Sequence, residues 1–241
     1  MLLINGLTKT YGKKKVVDNI SLHIHSGDIY GFIGHNGAGK TTTIKSCCGL
    51  IRFDDGEIYI DGKSIADESV KCKRVMGYIP DNPELYDYMS GIKYLNFVAD
   101  IYKIPHKLRK ERIKTYSDLF NLTGDLGRNI SSYSHGTKQK LLIVSAFIHN
   151  PKLLIMDEPF VGLDPIAAYN LKLLMKKLCE EGGAIFFSTH VLDVAEKLCN
   201  KIAIIKDGCI VASGETQKIT GDKSLESLFL ELEGQDVRYT Y

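Results

Sequence analysis

The sequence predicts an α/β fold carrying a helical insertion, and three observations support this. Short continuous apolar runs, Leu153-Leu154-Ile155-Met156 and Ala184-Ile185-Phe186-Phe187, suit strands buried on both faces of a largely parallel sheet. A glycine-rich turn from Gly34 to Gly39 follows directly on the strand-like Asp28-Ile29-Tyr30-Gly31-Phe32-Ile33. Between residues 86 and 148 the apolar spacing changes from twos to threes and fours.

In chain order, Ile20, Leu22 and Ile24 alternate with Ser21, His23 and His25, the period of a strand with one wet face. His23 and His25 project to the same side, but no third metal ligand lies nearby in sequence, so they read as exposed strand residues. Asp54-Asp55-Gly56 and Asp61-Gly62 bracket a short strand over Glu57 to Ile60. The first ninety residues thus read as strands broken by turns. From Ser90 the pattern turns helical: Ile92, Leu95, Val98 and Ala99 first, then Leu108, Ile113, Tyr116, Leu119 and Phe120 beyond Pro105. The expected layout is one domain over 1–241. Residues 1–85 and 149–220 form its β and sheet core, 86–148 a helical subdomain and 221–241 a C-terminal helical tail. No internal repeat is visible, which excludes a solenoid.

Composition narrows the function classes. At 44% hydrophobic and 25% charged residues, 241 residues bury a core without staples, so disordered and fibrous classes are excluded. The 31 basic residues against 29 acidic ones leave a net charge of +2, too balanced for a phosphate-backbone binder; no nucleic-acid partner is expected. Apolar stretches such as Leu141 to Ile148 fall short of the roughly 20 residues that cross a bilayer, so no direct membrane insertion is expected. The opening MLLINGLTKTYGKKK lacks the apolar run and cleavage site of a signal peptide, and a cytosolic setting is expected. Cys47, Cys48, Cys72, Cys179, Cys199 and Cys209 form no C-x-x-C pair and read as small hydrophobes in a reducing compartment.

The chemistry concentrates in two places. Gly34-His35-Asn36-Gly37-Ala38-Gly39-Lys40-Thr41-Thr42 matches G-x-x-x-x-G-K-[ST] with a strand before it and a helix after it, the context a phosphate loop requires. Glycines let successive N–H groups face one anion, and the helix that follows presents its positive end. Lys40 supplies a point charge to the β- and γ-phosphates, and the Thr41 hydroxyl is a Mg²⁺ ligand. The fold expected is an α/β P-loop NTPase (RecA-like) core with an N-terminal antiparallel β subdomain and an inserted α-helical subdomain. In Leu153-Leu154-Ile155-Met156-Asp157-Glu158-Pro159, two carboxylates emerge where a buried strand ends, the edge at which open α/β sheets bind ligands. Asp157 is expected to hold Mg²⁺ or its water, and Glu158 to act as the general base on the attacking water.

At this point the residues resemble the ATP-binding cassette (ABC) ATPases, and the order of further motifs extends the resemblance along nearly the whole chain. Tyr11 resembles the aromatic residue that stacks on adenine. Tyr133-Ser134-His135-Gly136-Thr137-Lys138-Gln139 resembles a diverged LSGGQ signature, followed by a short helix from Lys138 to His149. Gly162-Leu163-Asp164 resembles the D-loop, and His190 the switch histidine that contacts the γ-phosphate. The sequence departs from the family at Asp81, where glutamine is usual, and at Tyr133, His135 and Thr137. An aspartate at 81 is a Mg²⁺ ligand directly or through water.

The resemblance implies ATP and Mg²⁺ as cofactors and a second cassette, an identical copy by preference. Ser134 and Gly136 of one copy would face the phosphates held by Lys40 of the other. It further implies a transmembrane permease partner, a peripheral location on the cytoplasmic face of the membrane, and an exporter, because residues 77–102 and the tail Leu225 to Leu232 look most like stand-alone bacterial exporter ATPases. The alternative is a soluble ABC ATPase of an assembly complex, such as iron–sulfur cluster assembly.

Overall fold

The computed structural model describes residues 1–234; the last seven residues of the predicted tail lie outside the described residues. Strands β1 (Leu2–Tyr11) and β2 (Lys14–Ile24) open the chain, and β3 (Ile29–Ile33) leads through the glycine-rich turn into α1 (Lys40–Cys47). A hairpin of β4 (Asp55–Ile60) and β5 (Lys63–Ser64) precedes α2 (Ser69–Val75) and β6 (Met76–Ile79). The helical segment holds α3 (Gly91–Ile101), α4 (His106–Leu119), two 3₁₀ turns and α5 (His135–Phe147). Then come β7 (Leu153–Asp157), α6 (Pro165–Glu180), β8 (Ala184–Thr189), α7 (Leu192–Leu198), β9 (Lys201–Lys206), β10 (Cys209–Glu215), α8 (Thr216–Thr220) and α9 (Leu225–Glu233).

Two sheets result. An antiparallel sheet runs β2-β1-β4-β5, and a six-stranded sheet runs β10-β9-β3-β8-β7-β6, parallel except for β10 at one edge. The apolar runs of β3, β7 and β8 are fully buried because successive side chains enter two different cores. Leu154, Met156, Ile185 and Phe187 join the core shared with α5 and α6, whereas Leu153, Ile155, Ala184 and Phe186 join the core beneath α1 and the antiparallel sheet. One strand thus glues three layers together. On β2, Ile20, Leu22 and Ile24 are buried while Ser21 and His23 are exposed, as the alternation predicts. The His23 and His25 rings lie 3.9 Å apart on one side, and no group of three metal-ligating side chains forms among the described residues.

Two boundaries differ from the sequence expectation. Helix α2 falls where strands and turns were expected, since Cys72 is its one buried residue and so short a helix shows no apolar period. The signature helix begins at His135 rather than Lys138, because the Ser134 hydroxyl caps it by accepting from the Thr137 N–H at 3.2 Å. In the tail, α9 is capped by Ser224, buries Leu225 and packs on α7. Five cysteines are buried and Cys209 is exposed. Among the described residues, no helix is long and apolar enough to cross a membrane.

Asp28 fixes the entry of β3. Its carboxylate accepts from the His25 N–H at 2.7 Å, Asn200 Nδ2 at 3.1 Å and Lys201 Nζ at 3.0 Å, while Asn200 Oδ1 accepts from the Ile29 N–H at 2.8 Å. Burial opposes its charge, yet these donors outweigh that and hold its carboxyl below the usual range. The strand that carries the phosphate-loop motif is thereby tied to β9 at its base.

Candidate functional site

The motif residues lie at the C-terminal ends of β3, β6, β7 and β8, where backbone and helix ends face a common cleft. The turn between β3 and α1 is tight enough to demand glycine. A Cβ on Gly34 would lie 2.5 Å from the Ile205 carbonyl oxygen; one on Gly39 would lie 2.5 Å from that of Val16, in a backbone already at φ 112°. Gly39 also stands at the N-cap of α1 without a side chain to occupy it. The result is a bare backbone cradle at a helix start, which suits a phosphate group.

Lys40 is 6% exposed, and its Nζ donates to the carbonyls of Gly34 at 2.6 Å and His35 at 3.1 Å. Burial pulls its pKa below the lysine range, while the carboxylates of Glu158, Asp157 and Asp81 act in the opposite direction. A cavity of about 170 Å³ beside it is lined by Asn36, Gly37, Gly39, Lys40, Thr41, Thr42, Asp81 and Glu158. An adjoining cavity of about 560 Å³ brings Thr41, Asp81 and Asp157 together.

Asp157 is 1% exposed and accepts a hydrogen bond from the Ser188 hydroxyl. The Glu158 N–H donates to that same hydroxyl at 3.1 Å, and Glu158 sits at φ 47°, an uncommon conformation for a residue with a side chain. Ser188 therefore pins the Asp157 carboxylate and the Glu158 backbone where β7 ends. Glu158 Oε1 lies 3.8 Å from Lys40 Nζ, and Oε2 lies 3.0 Å from His190 Nδ1. Burial, together with the charges of Asp157 and Glu158, raises the pKa of Asp81; His135 and His190 act against that. Lys40, Thr41, Asp81, Asp157, Glu158 and His190 thus occupy one neighbourhood.

The other predicted residues do not join them. Tyr11 ends β1, half exposed, beneath Lys9 Nζ at 5.3 Å from its ring centre, and lines neither cavity. Ser134 and Gly136 begin α5 and line neither cavity. Gly136 packs against Gly162, since a Cβ on Gly136 would lie 2.7 Å from the Gly162 carbonyl oxygen. Asp164 caps α6 by accepting from the Ala167 N–H at 2.9 Å and pairs with Lys140 Nζ at 2.5 Å.

The departures in the signature have structural room. A Cβ on Gly162 would lie 2.6 Å from the His135 ring, so glycine there admits the imidazole. Tyr133 is accommodated in the same way by Gly91, and its hydroxyl donates to the Asp125 carbonyl at 2.6 Å. Sequence reasoning missed Ser188, although a polar Ser188-Thr189 pair ending an apolar strand was the available signal. It also missed Lys140, which nothing in the sequence separates from Lys138 two residues earlier.

Comparison with known proteins agrees with this geometry. The ABC transporter family model matches residues 17–161, more than half of the chain. The ABC transporter ATP-binding protein YhcH of Bacillus subtilis (strain 168) is 37% identical over 212 residues, covering 88% of this chain and 68% of that protein. The linearmycin resistance ATP-binding protein LnrL of the same organism is 36% identical over 214 residues, covering 89% and 69%. A solved structure of an ATP-binding subunit of an ABC transporter superposes with a TM-score of 0.93 at 34% identity, covering 97% of this chain and 99% of that one. The antiparallel sheet, the phosphate-loop core, the helical insertion and the acidic strand end have one common explanation: the chain belongs to the ABC transporter family, as an ATP-binding subunit with an ATPase cassette.

Proposed function

We propose that this chain powers an exporter by closing with a second copy of itself around two ATP molecules. The observation that carries the reading is the meeting of Lys40, Thr41, Asp81, Asp157, Glu158 and His190 at the ends of four adjacent strands. In this reading the N–H groups of Gly34 through Thr42, including His35, Asn36, Gly37, Ala38 and Gly39, hold the β- and γ-phosphates, and Lys40 neutralises them. Thr41, Asp81 and Asp157 offer hard oxygen donors in one cavity, a set that suits Mg²⁺. When bound, Mg²⁺ supplies positive charge to the phosphates. Glu158 takes a proton from the attacking water, and His190 orients the Glu158 carboxylate, its Nδ1 3.0 Å from Oε2. Tyr11 offers its exposed ring to adenine.

Ser134 and Gly136, at the start of a 13-residue helix, serve the nucleotide of the second copy, with Asp164 holding the adjoining loop. Nucleotide then forms part of the interface, and ATP favours closure because it contacts the closed pair more. The linearmycin resistance protein among the relatives supports export, since outward movement of a toxic compound gives resistance.

The permease is proposed to dock a short cytoplasmic helix in the groove beside α3. Tyr86, Tyr88, Phe97 and Ile101 expose apolar surface there. Reversing the charge of the exposed Lys93 on α3 (Lys93→Glu) is expected to abolish transport in membranes while basal ATPase activity stays within about twofold, as expected for a rim charge outside the site. Loss of nucleotide binding in that variant would overturn the docking assignment.

The reading as a whole is tested by capturing a tagged Glu158→Gln chain from its own cells with ATP after separating membrane from cytosol. A multi-span membrane protein in the captured complex is expected, with this chain bound to its cytoplasmic face. Recovery from cytosol alone with soluble companions would replace the transporter by an assembly ATPase and leave the cleft chemistry standing.

A further inference from the structure

One buried polar side chain has no function in the site described above. Gln139 in α5 is 1% exposed, and both its amide oxygen and its amide nitrogen lack a hydrogen-bond partner. Buried amides are nearly always bonded, because an unpaired one forfeits its bonds to water. A helix interior otherwise filled by Leu141, Leu142, Ile143 and Val144 has no packing need for an amide at this position. Leucine or methionine would fill the same space without that cost.

The helix geometry shows which residues share a face with the amide. Residues three and four apart share a face, so Gln139 lies between His135 and Leu142. His135 acts electrostatically on Asp81, and Leu142 lines the cavity that holds Thr41, Asp81 and Asp157. Helix α5 also packs on β6, whose last residue, Ile79, is two before Asp81. Gln139 therefore shares a helix face with Leu142, which lines the same cavity as Asp81, in a helix packed on the strand that leads to Asp81.

We propose that Gln139 is a positioning residue for hydrolysis. Its amide bonds the Asp81 loop when Asp81, Thr41 and Asp157 close on a bound nucleotide, and this bond sets the angle at which α5 presents Ser134 and Gly136 to the second copy. The inference rests on the two-copy reading given above. An amide suits this task because it both donates and accepts, and so can follow a loop that moves between two positions. The unpaired amide stores the cost in the open chain and releases it on closure, which favours the closed pair.

The test compares the full chain with Gln139→Met and Gln139→Glu. Three quantities are measured: thermal midpoint without nucleotide, nucleotide affinity of the single chain, and turnover at saturating ATP. For Gln139→Met the expected midpoint is equal or higher, nucleotide affinity is unchanged, and turnover falls by about tenfold or more, the loss of one strong hydrogen bond in the closed state. Turnover equal to wild type would overturn the proposal. So would a parallel fall in midpoint, affinity and turnover, or a variant that fails to fold, since each marks an ordinary structural role.

Gln139→Glu tests the proposed adjacency to Asp81 independently. Combined with Asp81→Asn, the loss in turnover is expected to be smaller than the product of the single losses by at least about fivefold, the signature of neighbours. Multiplicative losses would remove Asp81 as the partner. A wild-type chain that neither hydrolyses ATP nor pairs in its presence would instead reject the two-copy reading, and is distinguishable for that reason.

Discussion

Glu158→Gln is expected to slow ATP hydrolysis by about 10²–10⁴-fold while leaving ATP affinity close to wild type. The substitution preserves shape and removes only the proton acceptor. The φ of 47° at Glu158 and the bond from its N–H to Ser188 belong to the backbone and survive the change. The cradle of Gly34 to Thr42 is untouched, so ground-state binding persists and the transition state alone loses its base. Single-turnover hydrolysis beside nucleotide affinity separates the two effects. In the proposed two-copy cycle hydrolysis reopens the closed pair, so the variant is also expected to elute as a dimer with ATP. Near-normal turnover would take the base role away from Glu158.

Lys40→Ala is expected to lose binding and hydrolysis together. A charge-assisted bond to phosphate contributes about 1.5–3 kcal/mol, so affinity should fall about 10- to 150-fold. Turnover should fall by a further factor of about 10² or more, since phosphate charge grows in the transition state. The same change leaves Glu158, Asp157 and Asp81 facing one another without their cation. Lys40→Met retains the buried stem and controls for packing; both variants should fail in the same way. Unchanged nucleotide affinity in either would reject the phosphate-loop role.

Much of this was legible because the governing interactions are local. A strand, a glycine turn and a helix start are consecutive, so Gly34 to Thr42 carry the phosphate cradle in their own order. Apolar runs reveal strands covered on both faces, and Asp157 and Glu158 stand out because charge rarely closes such a run. Alternation on β2 assigned its two faces correctly for the same reason. Where local signals were weak, the reading slipped. Helix α2 lacks an apolar period, and Ser134 extended α5 by a cap whose effect is decided by one hydroxyl.

The amino-acid order by itself determined the fold class, the phosphate turn, the acidic strand end and the family, since each is written in neighbouring residues. Only the tertiary structure decided which of the remote residues meet. Ser188 is 31 residues from Asp157 in sequence and bonds it because β7 and β8 run side by side. His135 has room because Gly162 faces it, and Tyr133 because Gly91 does. Gln139 looks like any polar helix residue until packing removes it from water and leaves its amide unpaired. Pairings of this kind depend on how layers stack, and stacking energy is spread over the whole apolar core rather than encoded at either partner.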